Sequence, residues 1–397
     1  MQISTKAAAV KESSTLAITA KAKEMKASGI SVIGFGAGEP DFPTPENICR
    51  AAVAAIEKGY TKYTASTGIL ELRKAICAKL LRENGLSYEP SQIVVSNGAK
   101  HSLTNIFTAL LNPGDEVIIP APFWLSYTEM VSLASGVPVI VTATPETGLK
   151  ATVPMLEAAL TAQTKAIIIN SPNNPTGMVY RREELQAIAD FAVKHDLFVI
   201  SDEIYETLIY DDDVEHISIA SLGADIFART IIVNGFSKSH AMTGWRIGYT
   251  ASSKELARVM GNVQSHCTSN PNSIAQYAAL EAYTGDQSCL AKMQAAFKER
   301  RNYIYDRVVA IPGLHMLKPE GAFYAFVDVS ALYGKHIGGR EVDCARDIAA
   351  ALLEQACVAV VPCADFGFPH YIRLSYAVSL DEIKEGLDRI EAFVKSL

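Results

Sequence analysis

The middle of this chain alternates between short apolar runs and longer helical stretches, which sharply limits the folds it can adopt. Residues 100–111 and 183–195 are examples of the helical stretches. The apolar runs lie at residues 93–95, 116–119, 137–141, 166–169, 198–200 and 231–233. Because these runs are continuous rather than alternating, we expect strands that are buried on both faces. The pattern predicts an α/β fold with a mostly parallel central sheet flanked by helices.

The part of the chain after Gly285 has a different pattern of apolar and polar residues. A long helical stretch, residues 289–309, precedes an alternating segment at 321–327 that is typical of antiparallel strands. Two more helical segments and a strand at 371–376 follow, so we expect a second, smaller α+β domain. A chain of 397 residues is long enough for two or three domains. The predicted division is an N-terminal arm with part of the small domain (1–45), a large domain (46–290) and a small domain (291–397).

Composition excludes several classes of protein. With 49% hydrophobic and 20% charged residues, the chain reads as an ordinary globular protein. Its net charge of -7 argues against a nucleic-acid partner, and no run reaches the roughly 18 apolar residues of a membrane helix. Seven scattered cysteines without close pairing argue against disulfides and a zinc site. Lysines interrupt the first 29 residues too often for a signal peptide, so we expect a cytoplasmic protein. Because the cysteines lack the spacing of a zinc site, we also expect no metal.

Residues 235–248 place a lysine and an arginine in a small-residue loop directly after an apolar run. A lysine that attacks an aldehyde needs a neutral amine, and burial beside a second cation lowers the pKa of an ammonium. Lys238 and Arg246 provide that combination, and Ser237 with nearby backbone amides could bind a phosphate. Lys238 alone would read as a surface lysine. Its neighbours favour a nucleophilic amine beside an anion site.

Asp202 and Tyr205 follow the apolar run at 198–200. In open α/β sheets, ligands bind outside the carboxyl ends of the strands. A carboxylate in that place can pair with a protonated pyridine nitrogen and keep the ring electron-withdrawing. Taken alone, Asp202 would be better interpreted as a helix N-cap, which is common after a strand. In this setting we interpret Asp202 as a ligand of such a ring, and Tyr205 lies three residues further on.

Two further loops follow predicted strands. Residues 170–177 are dense in asparagine, proline and glycine, which indicates a fixed non-helical loop, although any turn could share that composition. Residues 96–100 lie between a strand and a helix, so their amides would form a phosphate site at the helix N-terminus. The small residues Gly98 and Ala99 would let a ligand approach the backbone closely.

These segments, in this order, resemble the class I pyridoxal-phosphate aminotransferases, and within them the bacterial aspartate aminotransferase branch. The resemblance runs from about Gly34 to the last helix. It implies aminotransferase fold type I and pyridoxal 5′-phosphate as cofactor, attached to Lys238 and polarised by Asp202. It further implies that Trp124 stacks on the ring, with Asn174 and Tyr205 on the phenolic oxygen. The residues implied to hold the phosphate are Gly98, Ala99, Lys100, Ser237, Arg246 and Tyr63 of the partner subunit.

The same resemblance implies a binding site for amino acid and 2-oxo acid substrates. Residues 36–42 resemble a substrate loop in which Gly38 contacts the substrate, and their glycine spacing is not that of a dinucleotide fingerprint. Arg373 matches the arginine that binds the α-carboxylate through two parallel hydrogen bonds. Asn174 and Trp124 would orient the substrate. Lys100 would meet an acidic side chain, because residues 264–268 lack the arginine of the animal-type enzymes. Since Tyr63 would serve the neighbouring site, the resemblance implies a homodimer with shared sites.

The implied reaction is amino transfer from L-aspartate to 2-oxoglutarate, giving oxaloacetate and L-glutamate with ping-pong kinetics. A prephenate or aromatic aminotransferase, or an enzyme with dual aspartate and prephenate activity, is the nearest alternative. A cofactor-dependent carbon–sulfur lyase is a further one. A DNA-binding regulator with an aminotransferase-like module is disfavoured, because the motifs begin by Gly36 and the pI is near 5.7.

Overall fold

A computed structural model describes residues 3–11, 14–337 and 340–397. The α-helices in these ranges are α1 (Thr5–Ala8), α2 (Ser14–Ala27), α3 (Glu46–Glu57), α4 (Leu70–Asn84), α5 (Ala99–Leu110), α6 (Ser126–Leu133), α7 (Val153–Ala159), α8 (Arg182–Lys194), α9 (Ala224–Arg229), α10 (Lys254–Cys267), α11 (Ser273–Thr284), α12 (Ser288–Val309), α13 (Ala345–Gln355) and α14 (Leu380–Lys395). The strands are β1 (Ile33–Gly34), β2 (Ile93–Ser96), β3 (Glu116–Ala121), β4 (Val137–Thr142), β5 (Thr164–Asn170), β6 (Phe198–Asp202), β7 (Thr230–Gly235), β8 (Gly248–Ala251), β9 (Tyr324–Asp328), β10 (His336–Ile337), β11 (Arg340–Glu341), β12 (Val358–Ala359), β13 (Val361–Pro362) and β14 (Tyr371–Ser375).

The central sheet has seven strands in the order β2-β8-β7-β6-β5-β3-β4. Strands β3 to β7 pair in parallel, whereas β8 runs antiparallel to both of its neighbours. The prediction of a mostly parallel sheet flanked by helices is therefore confirmed. Strand β8 was not predicted, because its four residues, Gly-Tyr-Thr-Ala, are too few and too mixed in polarity to form an apolar run.

Helices cover both faces of the sheet, and successive strand residues face opposite layers. On β5, Ile168 packs in the cluster that includes Phe107 of α5, while its neighbour Ile167 packs in the cluster that includes Phe191 of α8. This is why the inner strands read as continuous apolar runs. The expectation of burial on both faces is wrong for β4, where Val137 is 44% exposed and Ile140 is 40% exposed. As the edge strand, β4 has a neighbour on one side only.

The C-terminal part of the chain forms a three-stranded antiparallel sheet in the order β13-β14-β9, as its alternating pattern predicts. Helices α12 and α14 pack against each other beside it. Strand β1 pairs in parallel with β12 and so brings the N-terminal segment to this part of the fold. The predicted boundary between residues 290 and 291 falls inside α12, and the division into domains stays a prediction.

Three loops meet at the carboxyl end of the sheet because neighbouring parallel strands end side by side. Asn170 at the end of β5 is opposite Asp202 at the end of β6, and Asp202 is opposite Val233 of β7. Lys238 lies three residues beyond the end of β7. The turn after β6 also packs into the core under β9, where Tyr205 contacts Phe323 edge-on. In the described ranges, no helix combines the length and the apolar character needed to cross a membrane.

Candidate active site

A cavity of about 490 Å³ opens at this carboxyl end, between the central sheet, β14 and helix α2. Most of the residues predicted from the sequence to bind cofactor or substrate line it. They are Gly38, Ala99, Lys100, Trp124, Asn174, Asp202, Tyr205, Ser237, Lys238, Arg246 and Arg373. Residues far apart in sequence therefore converge on a single chamber.

Lys238 projects into this cavity from the loop after β7. Its Nζ donates a hydrogen bond to the carbonyl oxygen of Gly38 at 2.6 Å. Burial lowers the pKa of Lys238 to about 8; Arg246 and Arg373 add to this, and the carboxylates of Glu39 and Asp202 oppose it. A substantial fraction of the amine is therefore neutral near physiological pH, which a nucleophile requires.

Asp202 is 4% exposed and faces the same cavity from the end of β6. Burial raises its pKa to about 6, even though the hydroxyl of Tyr127 donates to its Oδ2 at 2.6 Å. The backbone amide of Ile204 donates to Oδ1 at 3.3 Å. Among the described residues no cation forms an ion pair with Asp202, so this desolvated carboxylate suits a ligand that brings a protonated ring nitrogen.

Tyr205 and Tyr324 form a pair across the cavity floor, and their hydroxyl oxygens lie 2.8 Å apart. Tyr205 is buried, and burial followed by the influence of Tyr324 raises its pKa well above the usual value. Its hydroxyl therefore keeps its proton at neutral pH and can donate to a ligand oxygen. Tyr324 also lies under Arg373, whose guanidinium carbon is 4.4 Å from the centre of the ring.

A chain of hydrogen bonds joins the asparagine loop to β14. The Asn170 side chain donates to the backbone carbonyl of Asp202 at 3.0 Å and accepts from the backbone amide of Asn174 at 2.8 Å. Arg373 then donates through Nη1 to Oδ1 of Asn174 at 3.0 Å and through Nη2 to the carbonyl of Gly36 at 3.1 Å. Its buried Nε has no partner among the described residues. This orphaned donor is available to a carboxylate ligand.

The phosphate site predicted at residues 96–100 is built around close backbone approach. Gly98 has a φ of +84°, and a Cβ there would fall 2.5 Å from Nη2 of Arg246. A Cβ on Gly248 would fall 2.3 Å from the backbone nitrogen of Ala99. Glycine at 248 lets the Arg246 loop lie against the N-terminus of α5, and glycine at 98 allows the positive φ and leaves room for the Arg246 guanidinium. An arginine and unpaired helix amides in one place fit the dianionic phosphate of a cofactor.

Lys100 and Trp124 contact each other at the rim of the cavity. The Lys100 ammonium lies 4.8 Å from the centre of the Trp124 ring. Burial and then Arg246 lower the pKa of Lys100. Trp124 in turn meets Tyr127 edge-on, with ring centres 5.4 Å apart. A cation and an aromatic ring are therefore both in reach of a ligand.

Two predicted residues do not line the cavity. Gly98 lies directly beneath Arg246, where its missing side chain is the relevant feature. Tyr63 is 89% exposed on the surface of this single chain. Its predicted role belongs to a partner subunit's site and stays a prediction.

The sequence analysis missed several residues of the cavity. Tyr127 and Tyr324 carry no motif of their own, because their positions depend on how α6 and β9 fold against the sheet. Helix α2 contributes a row whose spacing of four residues along one helix face was a usable signal. The members of that row are Thr15, Thr19 and Lys23.

The family model described as aminotransferase class I and II matches residues 30–390. Together with a fold whose cavity presents a buried lysine, carboxylate and arginine, this match shows that the chain belongs to the aminotransferase class I and II family. The aspartate aminotransferase of Bacillus sp. (strain YM-2) is 53% identical over 96% of each chain. The aspartate/prephenate aminotransferase of Cereibacter sphaeroides is 50% identical over 98% of each chain.

The comparison with solved structures agrees with this assignment. The aspartate aminotransferase from Rhizobium meliloti superposes with a TM-score of 0.96 at 42% identity, covering 100% of this chain and 99% of that one. The Thermus thermophilus aspartate aminotransferase with maleate gives a TM-score of 0.93 at 42% identity over the full length of both chains. The prediction of aminotransferase fold type I is confirmed.

Proposed function

We propose that this protein is a pyridoxal-phosphate-dependent aminotransferase that moves the amino group of L-aspartate to 2-oxoglutarate. The observation that carries the proposal is the convergence of Lys238, Asp202 and Arg373 on one cavity. Lys238 supplies an amine of lowered pKa, and Asp202 supplies a buried carboxylate. Arg373 supplies a guanidinium N–H that has no partner among the described residues. The choice of aspartate rests on Lys100 at the cavity rim and on the names of the relatives.

The residues present fit pyridoxal 5′-phosphate. When bound, this cofactor supplies an aldehyde that condenses with amines and a ring that withdraws electrons from the adjacent carbon. Asp202 would pair with the ring nitrogen and Trp124 would stack on the ring. Asn174 and Tyr205 would donate to the phenolic oxygen. The residues that would hold the phosphate are Gly98, Ala99, Lys100, Ser237, Arg246 and the partner's Tyr63.

Lys238 has two tasks in this scheme. Its neutral amine would hold the cofactor through the aldehyde carbon in the absence of substrate. Its Nζ would also carry a proton to and from the α-carbon of the substrate. Its hydrogen bond to the Gly38 carbonyl, at 2.6 Å, supports this role, because Gly38 belongs to the loop that we expect to contact the substrate.

Arg373 would bind the α-carboxylate of the amino acid through Nε and one terminal nitrogen. Asn174 holds Nη1 at 3.0 Å, and the Tyr324 ring lies against the guanidinium plane, so the group is oriented before substrate arrives. Preorganised donors lose little entropy on binding. Gly38 would contact the substrate through its backbone, and Lys100 would pair with the side-chain carboxylate of aspartate.

A second candidate is activity on prephenate as well as aspartate. The Cereibacter sphaeroides relative bears the name aspartate/prephenate aminotransferase. A substrate with a second carboxylate would keep the same use for Lys100, whereas an aromatic amino acid would leave its charge unpaired. A carbon–sulfur lyase activity would instead release ammonia, which a product assay distinguishes.

Steady-state turnover tests the proposal, with aspartate and phenylalanine each as amino donor to 2-oxoglutarate, and with prephenate in place of 2-oxoglutarate as acceptor from aspartate. We expect aspartate to be a good donor, and a negligible rate with aspartate would contradict it. In Lys100→Met, kcat/KM for aspartate should fall by about 10- to 100-fold, the worth of a charge-assisted contact, while that for phenylalanine stays. Lys254→Met is a matched control, because Lys254 also begins a helix but pairs with Glu89 at the surface.

A cytoplasmic homodimer is the assembly we propose. Tyr63 is exposed on the isolated chain, and α3 nearby exposes Val53 and Ile56, each at 53%. Burying these apolar side chains against a second copy would place Tyr63 in the neighbouring site. Sedimentation of the purified protein should give a dimer, and Tyr63→Phe should weaken cofactor retention in it.

A further inference from the structure

The turn that follows β6 has two faces. Asp202, Ile204 and Tyr205 line the active-site cavity, whereas Glu203 and Glu206 do not. Those two carboxylates reach a buried polar group behind the cavity, which we call the rear cluster. Its members are Lys79, Asn84, Glu203, Glu206, His216 and Asn234. The side chains of Glu203 and Glu206 are only 1% and 9% exposed.

Glu206 is the best-anchored member of the rear cluster. It forms an ion pair with Lys79 of α4, accepts from Nδ2 of Asn84 at 3.2 Å and accepts from Nδ2 of Asn234 at 2.7 Å. Although burial opposes charge on both groups, each partner stabilises the other, so the pKa of Lys79 is raised and that of Glu206 is lowered. A buried carboxylate is tolerated when its oxygens are satisfied in this way. These contacts fix Glu206 in one geometry.

Asn234 links Glu206 to the loop that carries Lys238. While its Nδ2 donates to Glu206, its Oδ1 accepts from the backbone amide of Gly235 at 2.7 Å. Gly235 is the last residue of β7, and Lys238 projects three residues later. Glu206 therefore determines which way the Asn234 amide faces, and through it the path of the backbone that carries Lys238.

The remaining contacts of the rear cluster fix the residues next to Asp202 in the same way. Glu203 accepts from the hydroxyl of Ser201 at 2.8 Å and from that of Ser218 at 2.6 Å. His216 lies 3.3 Å from Glu203 and 3.8 Å from Glu206. The ligating atoms of Glu203, Glu206 and His216 all lie within 4.8 Å of one another, a spacing that could suit a metal ion. Because Lys79 already supplies a positive charge to Glu206, we interpret the rear cluster as a structural hydrogen-bond network rather than as a metal site.

We propose that Glu206 is a positioning residue for amino transfer. Through Asn234 it fixes the loop of Lys238 against the turn that carries Asp202 and Tyr205. The loop of Lys238 and the turn of Asp202 and Tyr205 are then held together by side chains that do not line the active-site cavity. This inference rests on the proposed function of the site.

The test is Glu206→Gln, measured by steady-state kinetics in the holoenzyme and by crystallography of the apoprotein. A glutamine cannot neutralise Lys79. Its amide nitrogen would also face a donor in either orientation, Nδ2 of Asn84 in place of Oε2 or Nδ2 of Asn234 in place of Oε1, so the anchoring of this side chain is weakened. Because small displacements of a reacting group are costly, we expect kcat to fall by about tenfold or more. The KM for aspartate should change by less than about threefold, since Arg373 and its contacts are untouched. In crystals of the variant apoprotein, Nζ of Lys238 should leave the carbonyl of Gly38, which it now meets at 2.6 Å.

Asn234→Ala tests the same link without leaving a charge unpaired, so it serves if Glu206→Gln does not fold. Asp115→Asn is the control: it removes a carboxylate that pairs with Lys165 at 2.8 Å, near the opposite end of the sheet. It should lower the melting temperature and leave kcat and the Lys238 position unchanged. Wild-type kcat and an unmoved Lys238 in both test variants would overturn the inference. Absence of transamination by the wild type would instead overturn the proposed function, and the crystallographic readout would still decide this one.

Discussion

Removing the hydroxyl of Tyr127 should shift the proton equilibrium of Asp202, and the structure sets the size of the effect. The hydroxyl donates to Oδ2 of Asp202 at 2.6 Å, and the pKa of this buried carboxyl is about 6. A hydrogen bond to a charged group contributes about 1.5–3 kcal/mol, which corresponds to about 1–2 pKa units. Because the bond favours the ionised form, Tyr127→Phe should raise the pKa of Asp202 to about 7–8.

The assay is the affinity of the apoprotein for pyridoxal 5′-phosphate as a function of pH. Binding needs ionised Asp202, so the acid limb should have its midpoint near pH 6 in the wild type and near pH 7–8 in the variant. At pH 7 the ionised fraction should fall from about 90% to about 10–50%. Tyr180→Phe is the control, because Tyr180 is equally buried but donates nothing to Asp202. A midpoint that stays at pH 6 in Tyr127→Phe would refute the reasoning.

Other substitutions test further parts of the site. Asp202→Asn should abolish transamination yet raise the melting temperature of the apoprotein at pH 7.5. The pKa of Asp202 is about 6 in the folded protein and 3.8 as the usual value, so its buried charge lowers the free energy of unfolding by roughly 3 kcal/mol above pH 6. This cost disappears below pH 3.8, where the carboxyl is protonated in both states. Arg373→Lys should raise the KM for every amino donor by about 10- to 100-fold in steady-state assays, because one oriented charge-assisted hydrogen bond is lost. Gly98→Ala should speed the loss of cofactor on dialysis, since its Cβ would displace Arg246 and alanine at a φ of +84° and a ψ of 162° costs about 1–3 kcal/mol.

The sequence predicted those parts of the fold that depend on local pattern. Continuous apolar runs located the buried strands β5, β6 and β7, and their parallel pairing placed the loops after them at one edge of the sheet. The positions of Asp202 and Lys238 follow from that rule alone, because both come just after such strands. The short strand β8 and the exposed edge strand β4 could not be predicted, since strand order decides what each one contacts.

Contacts between distant segments were beyond the reach of sequence reasoning. Arg373 was expected to bind a carboxylate, but its bond to Asn174 requires β14 to fold against the loop after β5. The donation from Tyr127 to Asp202 likewise joins residues that are 75 positions apart. No pattern in the sequence marks Glu203 and Glu206 as buried. The structure shows that Glu206 bonds to side chains of α4 and β7, and that Glu203 bonds to Ser201 and Ser218.

The central claim is that Lys238 is the amine that bonds to the cofactor. Borohydride reduction of the protein loaded with pyridoxal 5′-phosphate, followed by digestion and mass spectrometry, locates the modified lysine directly. We predict one labelled peptide, carrying the adduct on Lys238, and loss of the label when aspartate is added before reduction. A colourless protein, or an adduct on another lysine such as Lys100, would contradict the account.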